Sequence, residues 1–455
     1  MEPGRPSRRV GTGAALAAVA VAWLVPSLAA AAAPAGEADG RDIGAAVLLL
    51  LGVGAAYVLA HLVAERLQRR FLVMPGLEYV VLGALLGGEL VPGLQVLDEL
   101  GPLMPFIALA AGWVGLLRGT ELDLRTMGDA PAGAARVALV HHLAAGAAVG
   151  GMAYFALRSG WVPQVDARGA AIAGWVLGTC AAADSAAPVD LLKRRYGLDG
   201  GLPKLLRRSA CLGDLLVIFA FGLMFCVFHQ DYPGAALELR ATEWAVLSVG
   251  LGMALGLLFS PFLGFDESAN GRFLALVGIT TFAAGAAWFL RLDPLLVNMA
   301  VGVTMVNTAR RGPRIRESLQ RTERPQALVL LVLAGALWTP PETWEAARLT
   351  LIGIGLFVAV RLAGKVIGSW LAALGTPLRP DLFRGLLGHG EVTVAMAISF
   401  RLVYFGPEVD MAYTIVIASV LLHDLIAPRL LRSLLVDAGD ITREPQGGAE
   451  PSGAS

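Results

Sequence analysis

The chain has 455 residues, of which 56% are hydrophobic and 16% charged, whereas an average soluble domain carries about 25% charged residues. Its formal net charge is zero, so no overall basic field favours the binding of nucleic acid. Apolar stretches of about 17–25 residues, long enough to cross a bilayer, recur between residues 43 and 434. These features predict an all-α, multi-pass membrane protein and exclude a soluble domain of useful size between the spans.

The first 33 residues have the layout of a secretory signal peptide. Arg5, Arg8 and Arg9 precede a short apolar run that ends in the alanine tract at residues 29–33. This order of basic, apolar and small residues is typical of such leaders. An uncleaved first helix is the alternative interpretation. Cleavage would place the mature N-terminus outside the cytoplasm.

About thirteen transmembrane spans are predicted after this leader. They cover residues 43–64, 73–91, 103–118, 136–157, 169–192, 208–229, 244–264, 272–290, 294–309, 325–341, 348–372, 383–404 and 410–434. Lys and Arg are concentrated in one alternate set of the connecting loops, and positive residues are retained on the cytoplasmic side. The sequence therefore predicts a protein of the cell inner (plasma) membrane with a cytoplasmic C-terminus. Residues 435–455, which are polar and rich in Gly and Pro, are predicted to be a disordered tail.

Two of the spans are interrupted by polar and helix-breaking residues. The fifth contains Asp184, several small residues and Pro188, and the twelfth contains Gly388, His389 and Gly390. Irregular backbone at membrane depth is tolerated only where it lines a cavity or is buried in protein. One broken span in each half of the chain predicts a transporter with inverted repeats and a binding site near the midplane.

Asp214 is the most conspicuous charge, because it lies in a strongly apolar helix. A charge at the centre of a membrane helix costs at least about 2.5–3.5 kcal/mol, so it needs a function or a partner. Burial favours the protonated carboxyl, whereas a hard cation such as Na⁺ favours the carboxylate, so the two exclude each other. Mutual exclusion of a proton and a cation is the basis of antiport. A structural ion pair with a basic residue is the alternative.

Other polar residues within the spans are candidate ligands or charge partners. Asp184 with Ser185 could bind the ion or cap the half-helix that follows. Lys365, with Arg361 one turn before it, needs a carboxylate or the negative end of a broken helix. Lys365 could also release a proton when its partner binds a cation. Charge compensation alone is the alternative for Lys365, and snorkelling to the interface is the alternative for Arg361.

The second interruption and the fourth span contribute further polar residues. Glu391 and His389 could neutralise half-helix dipoles or pair with Arg361, and His389 could respond to pH. Local satisfaction of frayed backbone is the simpler interpretation. His141 and His142 are predicted to serve packing or hydrogen bonding. No His, Cys or carboxylate spacing in the sequence matches a transition-metal site, so no cofactor is predicted besides the transported cation and proton.

Together these motifs resemble the monovalent cation:proton antiporter superfamily, which includes sodium/hydrogen exchangers and potassium-efflux-type members. The similarity covers residues 74–434. It rests on a proline-led helix at 74–88, a "G-x-E-x-D" helix end at 115–124, Ala183-Asp184-Ser185 for "TD" or "TS", Gly213-Asp214 for "DD" or "ND", Gly364-Lys365 to Gly368 for "K-x-x-G", and His389-Gly390-Glu391 for "R-G-E".

The resemblance implies a homodimer in which a core domain moves against a dimerisation domain in an elevator-like step. Residues 43–118 and part of 244–341, after a linker helix, would form the dimerisation side, and residues 136–230 and 348–434 the core. Asp214 matches the ion-binding aspartate. Gly213 replaces the first acidic residue of the pair, and Ala210 and Ser209 replace a serine ligand and a glutamate of one branch. A single carboxylate that handles both ions favours 1:1 exchange.

The predicted function is therefore secondary antiport of a monovalent cation, Na⁺ or K⁺, for protons, without enzymatic activity. Membrane lipid, the two ions and a second copy of the chain are the expected partners. A cation channel and a non-transporting sensor or scaffold of the same fold are alternatives. An intramembrane aspartyl protease, which needs two carboxylates sharing a proton, is disfavoured, because Ala183 precedes Asp184 and Cys211 replaces a glycine of that family's motif.

Overall fold

The computed structural model describes residues 76–87, 104–163, 165–230, 239–261, 269–309 and 312–441. These residues form helices and connecting turns and contain no strand, as predicted for an all-α protein. The helices, numbered here in chain order, are α1 (Leu77–Leu86), α2 (Met104–Gly119), α3 (Ala134–Arg158), α4 (Ala167–Ala182), α5 (Ala187–Tyr196), α6 (Gly201–Val227), α7 (Ala241–Phe259), α8 (Ala269–Phe289), α9 (Pro294–Thr308), α10 (Gly312–Gln320), α11 (Glu323–Ala336), α12 (Trp344–Ala373), α13 (Glu391–Val403) and α14 (Pro407–Asp437).

The predicted spans from residue 73 onward each coincide with one or two of these helices. Seven helical segments of the described residues are long and apolar enough to cross a membrane, with α4 and α5 counted as one segment, and three shorter helices are also apolar. The predicted leader, the span at 43–64 and residues 442–455 lie outside the described residues. The predicted tail begins too early, because α14 continues to Asp437 and buries Leu435 against the helices.

Residue contacts divide the chain into two units, one of residues 1–100 and 331–340 and the other of residues 101–330 and 341–455. In the first unit, α1 packs closely on the end of α11. A Cβ atom added to Gly83 would lie 1.9 Å from the Val332 carbonyl oxygen, and one added to Gly335 would lie 2.0 Å from the Val80 carbonyl oxygen. Small residues allow the two backbones to approach, as is common between membrane helices.

In the second unit, glycines also bring helix backbones together. The α3 and α4 helices meet at Gly178, where an added Cβ would lie 2.7 Å from the Gly146 carbonyl oxygen. The α3 and α12 helices meet at Gly364, where it would lie 2.8 Å from the Ala145 Cα atom. This close packing of α3, α4 and α12 places the polar residues of all three helices around the first interruption.

Candidate functional site

Both predicted interruptions are present. The α4 helix ends at Ala182 and α5 begins at Ala187, so residues 183–186 are not helical. In the second interruption, residues 386–390 separate a short 3-10 turn from α13, which begins at Glu391. Pro188 lies in the first turn of α5, where a proline is compatible with a helix start. Each interruption exposes helix-end backbone groups inside the protein, and these groups need partners.

The first interruption carries a buried ion pair between Asp184 and Lys365. Asp184 is 1% exposed and Lys365 is 0% exposed. The Lys365 ammonium contacts Asp184 Oδ1 and also donates to the Ala182 carbonyl oxygen at 2.7 Å. Lys365 therefore has both kinds of partner expected from the sequence, a carboxylate, which is Asp184, and a carbonyl at the end of a broken helix.

Arg361 joins the two interruptions. Its guanidinium donates to the carbonyl oxygens of Ala181 and Ala183, both at 2.9 Å, and to that of Leu387 at 2.8 Å. These carbonyls include the negative, C-terminal end of α4. Arg361 is 0% exposed, so the snorkelling alternative is wrong. Each of the three guanidinium nitrogens of Arg361 thus donates to a backbone carbonyl, and Glu391 contacts Arg118 instead.

Two histidines of α3 complete the surroundings of Asp184. The Nε2 atoms of His142 and His141 lie 3.3 and 3.6 Å from Asp184 Oδ2. The other ring nitrogen of His141, Nδ1, lies 3.1 Å from the Ser369 hydroxyl, and this hydrogen bond orients the ring. The predicted hydrogen-bonding role is thus present for His141, but the sequence did not indicate that both rings face Asp184.

The position of His142 explains why a glycine precedes Asp214. A Cβ atom added to Gly213 would lie 1.9 Å from His142 Nε2. The imidazole therefore occupies the space into which a side chain at position 213 would extend. The acidic residue that the family resemblance places there has no room beside this ring.

Asp214 belongs to a second cluster, centred on Arg118. Asp214 is 2% exposed, and its Oδ2 lies 3.6 Å from Arg118 Nε. The same guanidinium lies 3.2 Å from Glu121 Oε1 and 3.0 Å from Glu323 Oε1, and it contacts Glu391. Glu391, in the first turn of α13, therefore pairs with Arg118. The sequence did not identify Arg118 or Glu323 as site residues, because each ends or begins an apolar helix, where charges are ordinary.

The two clusters carry opposite excess charge. Asp184 faces two cations, Lys365 and Arg361. Arg118 faces four carboxylates, and the nearest additional cation, Arg316, lies 3.9 Å from Glu121. Buried charges without compensation are strongly unfavourable. With all four carboxylates ionised, the cluster around Asp214 carries excess negative charge.

The remaining polar residues of the interruptions are satisfied locally. The Ser185 hydroxyl accepts the N–H of Ala187 at 3.2 Å, and no side-chain cap is formed by Asp184. His389 lies 3.1 Å from the Thr393 hydroxyl and 3.2 Å from that of Ser419. Ser185 thus serves the local backbone turn, and His389 serves a local hydrogen-bond network.

Asp424 on α14 is a partly buried carboxylate that the sequence analysis did not predict as a site residue. One of its oxygens has no hydrogen-bond partner, and Asp424 interacts with Arg361 and with the backbone of His389. A carboxylate within an apolar helix is the signal that could have identified it.

A cavity of about 690 Å³ opens beside the second cluster. Its walls include Cys211, one helical turn before Asp214, and Glu323, the partner of Arg118. Basic side chains dominate the rest of its polar lining: Lys193, Arg194, Lys204, Arg207 and Arg208. The cavity therefore extends from the basic ends of the helices to a point within one helical turn of Asp214.

Cys211 provides a test of this access route. A water-soluble maleimide is expected to label Cys211 faster than Cys180 or Cys226, because Cys211 lines the cavity and the other two do not. Mass spectrometry of the labelled peptides measures the three rates, with Cys211→Ser as the control. Faster labelling of Cys180 would contradict access along this cavity.

Comparison with known proteins places the chain in a family. The sequence model of a family described as "Sodium/hydrogen exchanger, transmembrane" matches residues 116–436, well over half of the chain. The chain belongs to the sodium/hydrogen exchanger family. It is thus a multi-pass membrane transporter related to cation/proton antiporters rather than an enzyme, and the matched region includes Arg118, both interruptions and Asp214.

Solved structures support the same fold for this exchanger-family chain. A structure at pH 8 of the sodium proton antiporter MjNhaP1 from Methanocaldococcus jannaschii superimposes with a TM-score of 0.57 at 16% identity, covering 86% of this chain and 99% of that chain. A structure of the same antiporter from an electron-microscopy map gives a TM-score of 0.53 at 14% identity, covering 89% and 99%. A search of curated protein sequences finds no match.

Proposed function

We propose that this sodium/hydrogen exchanger-family protein exchanges a monovalent cation, Na⁺ or K⁺, for protons, and that Asp214 is the site the two ions share. One observation carries the proposal. Asp214 is a buried carboxylate with an oxygen that has no hydrogen-bond partner, in a cluster with excess negative charge, one turn from an open cavity.

The chemistry of exchange follows from these properties. A carboxylate oxygen without a hydrogen bond can accept either a proton or a hard cation, and binding of one removes the negative charge that attracts the other. Asp184 is already compensated by Lys365, so it attracts a further cation less strongly than Asp214 does. A single exchanging carboxylate favours 1:1 stoichiometry, and Lys365 and Asp184 then maintain the geometry of the interruption.

The proposed cycle is alternating access. The helices at 136–230 and 348–434, which contain both interruptions and Asp214, form the moving core of a homodimer, and the spans predicted within 43–118 and, after a linker helix, within 244–341 form the dimerisation side. The basic cavity faces the cytoplasm of the inner membrane, in agreement with the retention of positive residues on that side. The mature N-terminus lies outside and the C-terminus inside.

The proposal is tested with the purified protein in proteoliposomes that carry an imposed pH gradient. Addition of Na⁺, K⁺ or Li⁺ is expected to dissipate the gradient, followed with a pH-sensitive dye, and Asp214→Asn is expected to reduce the response to that of empty liposomes. Asp199→Asn, at an 80% exposed side chain of a connecting turn, is the matched control and should transport normally.

Two results would reject the proposal. The first is full exchange by Asp214→Asn. The second is cation flux that proceeds without proton movement, which would indicate a channel.

A further inference from the structure

The guanidinium of Arg118 holds a position that a transported cation would need. It lies beside Asp214 and Glu391, with Glu121 and Glu323 on its other sides. Nowhere in the described chain do three or more His, Cys, Asp or Glu side chains form a group that could hold a metal ion. The four carboxylates are thus arranged around a positive side chain of the protein itself.

We propose that Arg118 is a tethered counter-cation that compensates Asp214 in the cation-free protein and competes with the transported cation for it. This inference rests on the proposed exchange at Asp214. Arg118 is then a positioning and affinity-setting residue, which the transported cation must displace before it binds.

The geometry of the Arg118–Asp214 contact makes such displacement easy. The 3.6 Å between Arg118 Nε and Asp214 Oδ2 is too long for a hydrogen bond. Arg118 Nε and Asp214 Oδ1 are both buried without a hydrogen-bond partner. A bidentate arginine–carboxylate pair would hold much more strongly. The pair therefore compensates charge without locking the two side chains together.

The other contacts of Arg118 allow it to give up Asp214 without being left unpaired. Its terminal nitrogens hydrogen-bond to Glu121 at 3.2 Å and to Glu323 at 3.0 Å. Glu323 lines the cavity and its side chain is 39% exposed, whereas Glu121 is buried. A cation that takes Asp214 leaves the guanidinium with these two carboxylates, so no buried charge is stranded.

Competition by Arg118 has a pH signature. A guanidinium stays protonated at every accessible pH, whereas proton competition for Asp214 weakens as pH rises. Arg118 should therefore limit cation affinity mainly at alkaline pH, and protons should limit it at acidic pH. The charged and titratable groups that face Arg118 and Asp214 are Glu121, Asp184, Cys211, Arg316, Glu323, Lys365 and Glu391.

The test measures the apparent KM for Na⁺ in proteoliposomes across a range of pH. If Arg118 compensates Asp214 in about nine of ten cation-free molecules, Arg118→Gln lowers KM about tenfold at alkaline pH. At acidic pH the variant and the wild type converge, because protons dominate in both. The decrease of KM with rising pH then continues about one pH unit further in the variant than in the wild type.

Three other variants separate competition from a structural role. Arg118→Lys keeps the tethered charge and should keep the wild-type pH profile. Glu323→Gln removes an outer partner of Arg118, leaves it more often at Asp214 and should raise KM several-fold. Arg125→Gln is the matched control, because Arg125 lies near the same helix end in an ion pair with Asp123 and its side chain is 52% exposed.

The outcomes are distinguishable. An unchanged or higher KM of Arg118→Gln at alkaline pH overturns the inference, while loss of exchange in Asp214→Asn still supports the proposed function. If Arg118→Gln does not fold, Glu323→Gln provides the test. An unchanged or lower KM of Glu323→Gln then overturns the inference. Exchange that persists in Asp214→Asn rejects both the function and the role of Arg118.

Discussion

Asp184→Ala is expected to destabilise the protein by about 3–5 kcal/mol, the usual cost of removing one partner of a buried ion pair. The Lys365 ammonium is fully buried and would keep only the Ala182 carbonyl oxygen as a partner. Arg361 would lose the nearby negative charge as well, 3.8 Å from its Nη2 atom. Thermal unfolding of the detergent-solubilised protein, followed by tryptophan fluorescence, measures the loss.

A double variant shows whether the loss comes from the stranded lysine. Replacing a buried ion pair by apolar residues is often neutral or stabilising, so Asp184→Ala with Lys365→Met should recover most of the lost stability. If the single variant is as stable as the wild type, the ion pair is not the element that supports the first interruption. Exchange by the stable double variant would agree with Asp214 as the sole exchanging carboxylate.

Gly213→Asp, which introduces the first acidic residue of the family's pair, is expected to disrupt folding. The new Cβ atom alone would lie 1.9 Å from His142 Nε2, and overpacking of a dense interior costs about 1–3 kcal/mol or more. The added buried carboxylate increases that cost. The yield of monodisperse protein and its melting temperature should both fall sharply.

A second substitution should make room for the new side chain. His142→Ala removes the ring that the aspartate would meet, so the double variant Gly213→Asp with His142→Ala should regain yield and melting temperature. Gly201→Asp is the control, since Gly201 is in the same helix, is exposed and has nothing within 4 Å of an added Cβ. A Gly213→Asp protein as stable as this control would show that His142 does not fill the space at position 213.

The sequence alone indicated those residues of the candidate site that are unusual in an apolar span. Asp214, Lys365 and the two interruptions stand out because charges, glycines and prolines are rare in apolar spans. The described helices coincide with the predicted spans, and the family assignment agrees with the motifs. These features depend on residues close together in the chain, where hydrophobic patterning is informative.

The partners of these residues were not predictable in the same way. Arg118 lies at the end of an apolar helix, where a basic residue is common, and its contact with Glu391 joins residues that are distant in the sequence. His142 has no local signal either, since its importance comes from packing of α3 against Gly213. The packing of the helices determines which carboxylate Lys365 binds. The residue pattern of a single span does not specify that packing.

The hydrogen bonds of Arg361 have a mechanical consequence. The planar guanidinium donates hydrogen bonds to carbonyl oxygens of both interruptions. These three bonds fix the separation and orientation of the two unwound segments. Neither unwound segment can shift alone without breaking a buried hydrogen bond, which is costly when no water replaces it. The two segments, though far apart in the sequence, are therefore coupled to each other and to α12 through one side chain.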